Sequence, residues 1–289
     1  MNRPYCRVFF LIMGLLLTGC GAEAVRRPAV LIDAEEYSRA GLQAYGDAEW
    51  RSAQHFFNKA LLLYQGVDDQ EGVLLSSINL AEVALAQHDD AAATHYLTLA
   101  GRIATDDFFQ HYQPRISLLY GRLALQQKQW AEAAHRLREI LPVFKGVRAV
   151  SVPDNTQIAA IASQVKLAFW RKQDELLWVQ RYAHALKQTA HNNRDRQARL
   201  LRFQADLLLQ QGAVADAESK LQQALLLYKQ GLSRVGIAVT LLELAQYYQA
   251  SQRWQDAQEY LTRSRAVYHL LGDDEKVKQM TDLLAPVKQ

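Results

Sequence analysis

An internal repeat of about 40 residues constrains the fold most strongly, because a chain with such a period builds its core by stacking one small unit on the next. The segments Trp50-Arg-Ser-Ala53 and Trp130-Ala-Glu-Ala133 lie 80 residues apart, and Trp254-Gln-Asp-Ala257 shares their pattern. Upstream of each unit's second half, a small residue recurs at a fixed distance: Gly41, Ala81, Gly121, Ala205 and Ala245. Their intervals are 40, 40, 84 and 40 residues, so one divergent unit is expected inside the longest interval.

The repeating unit is predicted to be helical. In this chain of 289 residues Gly (14) and Pro (6) are sparse, while Leu, Ala and Gln dominate, which is typical of helices. Four units end on an aromatic residue, namely Tyr64, Phe144, Tyr228 and Tyr268. Polar or Gly-containing connectors follow three of them. The sequence therefore predicts pairs of helices joined by short turns.

These residues resemble the tetratricopeptide repeat (TPR), in its longer form with about 40 residues per unit. The family pattern is a small residue in the first helix, an aromatic residue opening the second helix, and then Ala, a large apolar residue and Ala. The first unit reads Gly41, Trp50, Ala53, Phe57 and Ala60. Four positions depart from the pattern: Asp90 and Val214 replace the aromatic residue, and Ile140 and Ser264 replace the last Ala. The resemblance implies an all-α, right-handed TPR solenoid of about six helix-turn-helix units plus a C-terminal capping helix.

The repeat also predicts the unit boundaries. Units are expected near residues 34–67, 74–107, 114–147, 155–190, 198–231 and 238–271, with a polar cap over 273–286, so that the solenoid spans 34–289. The fourth unit fits the pattern poorly, and its register stays open. Asp33 and Glu36 predict a capping-box-like start of the first helix. In this register the Trp254 ring is expected to be buried. The β-rich segment 146–155 is expected to be a long connector or, alternatively, a peptide-docking edge.

The first twenty residues predict export and lipid attachment. Arg3 and Arg7 precede an apolar run from Val8 to Leu17, which is the layout of a secretory signal and is too short to span a bilayer as a mature helix. The ending Leu-Thr-Gly-Cys20 resembles the lipobox of bacterial lipoproteins, in which the peptidase cleaves before a cysteine that then receives acyl chains. We expect a signal peptide over 1–19, a lipidated tether over 20–33, and an anchor in the outer membrane facing the periplasm. The alternatives are a plain signal peptide or a short anchor with a chance cysteine.

Charge and composition narrow the chemistry. The net charge is +3, and cleavage removes Arg3, Arg7 and no acidic residue, which leaves +1 and gives no reason to expect nucleic-acid binding. The two cysteines, Cys6 and Cys20, are removed or lipidated, so no free thiol is expected. The sequence has no Gly-rich phosphate loop in the folded part and no close set of metal ligands. We therefore expect neither an enzyme nor a bound cofactor or metal.

In TPR proteins, one face of each first helix lines a concave surface that binds partners. Carrying that geometry over places these residues in a partner-binding groove: Arg115, Arg122, Arg199, Arg202, Asn79, Glu82, Gln246 and Gln249. Arginine suits bidentate binding of carboxylates, so an acidic or amphipathic segment of another envelope protein is the expected partner. Asp206, one turn after Arg202, is the nearest candidate for an internal ion pair.

The sequence thus favours a membrane-anchored adaptor that mediates protein-protein interaction in the periplasm, in envelope assembly, secretion, pilus biogenesis or recruitment of a cell-wall enzyme. One alternative is a solenoid that holds a small molecule or a glycan in its concave groove, lined by Tyr45, Tyr248, Trp170 and Trp178, although both tryptophans are expected in the core. Another is an intracellular sensor-regulator, against which the lipobox argues.

Overall fold

The computed structural model describes residues 28–189 and 193–284. Cys20, the signal segment and most of the tether lie outside the described residues. Within them the protein is all-α, with the following helices: α1 Ala29–Gly46, α2 Trp50–Gly66, α3 Gln70–Ala86, α4 Asp90–Ile103, α5 Gln113–Gln126, α6 Trp130–Arg138, α7 Asn155–Arg171, α8 Glu175–Gln188, α9 Arg194–Gln210, α10 Val214–Gln230, α11 Arg234–Ala250, α12 Trp254–Leu271 and α13 Asp274–Leu284. A 3₁₀ turn at Asp107–Tyr112 precedes α5. The segment before α7 forms a short antiparallel hairpin, β1 Phe144–Lys145 and β2 Arg148–Ala149.

The helices pack in consecutive pairs. Each odd-numbered helix from α1 to α11 lies against the next helix in the chain, and α13 packs on α12. The pairs then stack, with α2 against α3, α4 against α5, and α10 against α11. The predicted fold class, an all-α helical repeat solenoid, is confirmed.

The turn inside each pair is nearly the same in five of the six units. The middle residue of the turn has a positive φ at Ala48 (56°), His88 (59°), Lys128 (60°), Gly212 (76°) and Gln252 (59°). The amide of the following residue then donates a hydrogen bond to the carbonyl five residues earlier, as from Gln129 N to Ala124 O (2.8 Å). The positive φ lets the chain reverse within three residues, so the two helices of a pair run antiparallel in contact.

Small residues allow the paired helices to approach closely, as the sequence pattern predicted. A Cβ atom added at Gly41 would lie 2.6 Å from the Phe57 ring, and one at Gly121 would lie 3.1 Å from Leu137. The alanines at the equivalent positions, Ala81, Ala205 and Ala245, are completely buried. Small size at this position is therefore set by the helix-helix distance.

A second glycine contact, which the repeat pattern did not predict, joins neighbouring units. The rings of Tyr64 and Tyr228, near the ends of α2 and α10, lie directly over Gly72 and Gly236 at the start of the following helices. A Cβ atom at either glycine would overlap the ring, at 2.2 Å and 2.1 Å. Both pairs are separated by eight residues, a spacing that the sequence already contains.

Three expectations about the elements are wrong. The first helix begins at Ala29 after Pro28, so Asp33 lies inside α1, and the last residues of the predicted tether are helical. A Pro fits the position before a helix because its fixed φ suits that site and its missing N–H would have no helical partner there.

Trp254 opens α12 but is 62% exposed, and Trp170 is 63% exposed rather than in the core. Trp170 stacks on Trp130 of the preceding unit, whereas no described aromatic residue stacks on Trp254.

The first and last pairs are also in contact. Ala48 and Trp50 of the first unit share one apolar cluster with Leu242 and Ala245 of α11. The solenoid therefore curves until its first and sixth units meet, and the concave side becomes the wall of a partly enclosed space. None of the helices within the described ranges is both long enough and apolar enough to cross a membrane.

Candidate functional site: the concave surface

The first helices of successive pairs form the inner layer of the solenoid. Helix α1 lies beside α3, α3 beside α5, α5 beside α7, and α9 beside α11. The curvature is strong enough that Tyr45 of α1 lies near Arg122 of α5, two units away. Burial, followed by the charge of Glu82, raises the pKa of the Tyr45 hydroxyl, so it stays a neutral phenol at physiological pH.

Three predicted site residues come together at one point of this layer. Arg115 of α5 donates from Nη2 to Asn79 Oδ1 (2.9 Å) and from Nε and Nη2 to Glu82 Oε1 (3.2 and 3.1 Å). The side chains of Arg115 and Glu82 are 32% and 21% exposed, so the pair is partly shielded from water. The charge of Arg115 is thus neutralised by the preceding unit.

Arg202 is also neutralised, but by a residue that the sequence analysis did not select. It binds both carboxylate oxygens of Glu243 on α11, with Nε to Oε2 at 2.7 Å and Nη2 to Oε1. Tyr228 also lies near its guanidinium. The pairing with Asp206 is wrong, because the guanidinium binds both carboxylate oxygens of Glu243 instead. Arg202 and Glu243 are separated by 41 residues, which is close to the repeat length. This spacing is the sequence signal that could have indicated the pair.

The carboxyl group of Asp206 has a shifted pKa beside this ion pair. Burial and the nearby negative charge of Glu243 raise the pKa of its carboxyl group to about 7, against the opposing effect of Arg202. Asp206 is therefore largely protonated below neutral pH. In that state it adds little negative charge to the concave surface.

Arg122 and Arg199, the other two predicted arginines, keep their charge available. Among the described carboxylates, none forms an ion pair with either guanidinium. Arg122 lies near the neutral Tyr45 hydroxyl, and both arginine side chains are partly exposed. Two of the four predicted arginines are thus unneutralised cations on the inner layer.

Lys166 of α7 is a third cation without an ion-pair partner among the described residues, and the sequence pattern did not indicate it. Burial lowers the pKa of its ammonium group from 10.5 to about 7. The charges of Arg199, Arg202 and Arg122 act in the same direction, and Glu243 opposes them. The side chain is exposed to solvent, and water there screens these charges. Lys166 was not predicted as a site residue because the register of the fourth unit was open. It is nevertheless the single charged residue in the run from Asn155 to Trp170.

The remaining predicted residues lie apart from Arg122 and Arg199. Gln246 is exposed and Gln249 is partly exposed on the last turns of α11. Of the aromatic residues considered for a ligand pocket, only Tyr45 lies near one of these arginines, namely Arg122. Tyr248 is buried and donates to Glu218 of α10 at 2.6 Å, while Trp178 packs edge-on against Phe144, with Arg181 over both rings.

Within residues 28–189 and 193–284, no group of three or more His, Cys, Asp or Glu side chains is placed to hold a metal ion. By its architecture, the protein is an all-α helical repeat protein. Comparison of the chain with protein-family models and with curated proteins finds no match.

Proposed function

We propose that this protein is a TPR-type adaptor lipoprotein, anchored through Cys20 in the outer membrane, that recruits a partner protein in the periplasm. Its concave surface binds an acidic or amphipathic segment of that partner, in envelope assembly, secretion, pilus biogenesis or recruitment of a cell-wall enzyme. The sequence support is the lipobox-like ending at Cys20 and the 40-residue repeat. No turnover is involved, because the protein acts by bringing its partner to the membrane.

One observation supports the proposal: some arginines of the concave surface are paired with carboxylates, and others are not. Arg115 and Arg202 have carboxylate partners from neighbouring units, whereas Arg122 and Arg199 have none among the described residues. Because a partly enclosed charge costs free energy until it is matched, the unpaired arginines favour an external anionic partner. The paired arginines stabilise the inner layer itself.

The experiment is crosslinking and mass spectrometry on native envelopes with Cys20 intact. The test variant is Arg122→Ala with Arg199→Ala. The control is Arg136→Ala with Arg263→Ala, which removes the same charge from residues paired with Glu132 and Glu259 on their own helices. A partner captured by the wild type and the control, but lost from the folded test variant, is the expected result. Equal capture by both variants would place the partner elsewhere and contradict the groove.

The anchor has its own test. The Cys20→Ser variant is expected to incorporate no radiolabelled palmitate and to leave the membrane fraction, because serine lacks the thiol that accepts the lipid. Labelling of the wild type is the control. A wild-type chain that takes up no label would contradict the lipoprotein part of the proposal.

A second candidate function is the binding of a small molecule or a glycan on the concave surface. The contact of Ala48 and Trp50 with the cluster around Leu242 favours it, because this contact narrows the concave space. A stoichiometric metabolite that stays with the protein through purification, without any captured protein partner, would support this function over the adaptor.

A further inference from the structure

The helix directions collect the connections between units at one edge of the solenoid. The two helices of a pair run antiparallel, so the turns within pairs lie at one end of the helices and the connections between units lie at the other. We call this second end the connector edge. Its described segments are residues 67–69, 104–112, 139–154, 231–233 and 272–273. Helix α1 also begins at this edge, because the first helix of every pair does.

The most exposed large apolar side chains among the described residues all lie at the connector edge or in the helical turn beside it. The five with the highest exposure, from 69% to 84%, are Phe108, Leu232, Leu270, Val143 and Val150. They belong to four different connections between units, so the edge carries apolar groups along most of its length. Their shared position at one edge marks it as a contact surface.

Leu232 is the clearest case, because the backbone conformation there opposes a leucine. Its φ of 54° lies in the left-handed region, and the equivalent positions of two other connections are occupied by Asp68 and Gly272, residue types that tolerate this conformation. Its side chain is 83% exposed, so packing within the described part of the chain does not account for the leucine either. A surface that covers the connector edge would bury this side chain.

The charged groups of the connector edge include both signs. In the hairpin, Lys145 and Arg148 are exposed and directly opposite each other, and neither forms an ion pair with a described carboxylate. Acidic residues such as Asp68 and Asp107 lie in other connections. Because both signs lie beside exposed apolar groups, the edge fits a surface that is apolar inside and zwitterionic at its boundary. A phospholipid bilayer has both properties.

The length of the chain before α1 favours the same edge. Cys20, the proposed lipidation site, precedes Ala29 by nine residues, which span at most about 30 Å when fully extended. Helix α1 itself has 18 residues and is about 27 Å long. With the connector edge on the membrane, the tether needs only a fraction of its reach. With the opposite edge on the membrane, it would have to run the whole length of α1 in a nearly extended form.

We propose that the connector edge docks on the surface of the phospholipid bilayer, with its exposed apolar side chains at the level of the headgroups. This inference rests on the proposed lipid anchor and adds an orientation to it. The helices then stand on the membrane, and the opposite edge, with Trp254, faces away from it. Docking restricts the rotation that a tether alone would allow, so the concave surface is presented to its partner in one orientation.

The experiment measures whether single positions lie in the membrane. The mature lipoprotein is reconstituted into phosphatidylcholine vesicles that contain a nitroxide-labelled lipid. Leu232→Cys and Gln252→Cys are compared, each labelled with an environment-sensitive fluorophore. Both residues are exposed, with φ of 54° and 59°, but they lie at opposite edges. We expect blue-shifted and quenched emission from the label on Leu232→Cys, and neither effect on Gln252→Cys.

Two double variants test which side chains make the contact. Phe108→Ser with Leu232→Ser, labelled at Val150→Cys, is expected to lose most of the quenching, because serine gains little from leaving water. The control is His88→Ser with Trp254→Ser and the same label, which changes the opposite edge and should keep the quenching. Phe108 and Leu232 are both more than 80% exposed, so their replacement is not expected to unfold the protein, and circular dichroism checks this.

Three results would overturn the docking. Quenching on Gln252→Cys in place of Leu232→Cys would put the opposite edge on the membrane, and equal quenching in the two double variants would show that the apolar side chains are not responsible. A label on Leu232→Cys that stays in water on vesicles, but is shielded in native envelopes, would identify a protein partner at this edge instead.

Flotation of the protein with the vesicles reports the lipid anchor separately. A protein that floats with an unquenched label on Leu232→Cys refutes the docking alone and leaves the adaptor lipoprotein in place. A protein that does not float refutes the anchor and, with it, the docking that rests on it.

Discussion

At the scale of single residues, the turn within each helical pair depends on one backbone angle. Ala48, His88, Lys128 and Gln252 adopt the left-handed conformation that favours glycine, and Gly212 has a glycine there. An L-residue in this conformation is strained by roughly 1–2 kcal/mol, which is partly offset because glycine loses more entropy on folding. The sequence shows the turn position through its 40-residue spacing, but four of the five residues give no sign of the unusual φ.

Exchanging residues at this position is expected to shift stability in opposite directions. Lys128→Gly should raise the free energy of unfolding by about 0.5 kcal/mol, and Gly212→Ala should lower it by about 1 kcal/mol. A Cβ at Gly212 would meet no atom within 4 Å, so the loss reflects backbone strain alone. Urea denaturation measures both values. Gly46→Ala is the control, because it adds the same methyl group in open space at an ordinary φ, and a comparable loss there would contradict the explanation.

At the scale of helices, partner sizes are matched across each pair. Gly41 faces the large ring of Phe57, whereas Ala81 belongs to the same core cluster as the smaller Leu97. The pattern of small and large residues predicted these contacts because both partners follow the same period. It did not predict the contact of Tyr64 with Gly72, since that contact depends on how one unit stacks on the next.

Gly41→Ala is therefore expected to destabilise the protein by about 1–3 kcal/mol, because its methyl group would overlap the Phe57 ring. Combining it with Phe57→Leu recreates the Ala–Leu pair of other units. The double variant should be more stable than the sum of the single effects by about 1 kcal/mol. Thermal or urea unfolding of the four proteins in the cycle provides the measurement. Additive losses would show that the two side chains do not oppose each other.

At the scale of the whole molecule, the contact between the first and sixth units defines the concave space. Ala48, in the first turn, is 7% exposed and belongs to the cluster around Leu242. His88 has the same backbone conformation in the second unit but is exposed to solvent. Equivalent turn residues thus have different surroundings, depending only on where the curved solenoid brings its ends together.

Ala48→Arg is expected to separate the two ends, because a long charged side chain does not fit in an apolar cluster. Small-angle X-ray scattering should then show a larger radius of gyration than for the wild type. His88→Arg introduces the same side chain at the same backbone conformation on the surface and should leave the radius unchanged. An unchanged radius in both variants would mean that the end-to-end contact does not hold the solenoid closed.

The sequence by itself determined the helical repeat, the number of helical pairs and the small residues between paired helices. These features are periodic, and each depends on residues close together in the chain, so a single sequence reveals them. It also indicated four arginines of the inner layer, but it did not distinguish those paired with carboxylates from those that are not.

Only the tertiary structure decided which of these charges are free. Arg115 is neutralised by Glu82 across 33 residues, and Arg202 by Glu243 across 41. The contact of Ala48 with the sixth unit likewise depends on distances between units. Such distances result from the curvature that accumulates as pairs stack, and no local pattern of residues encodes that sum.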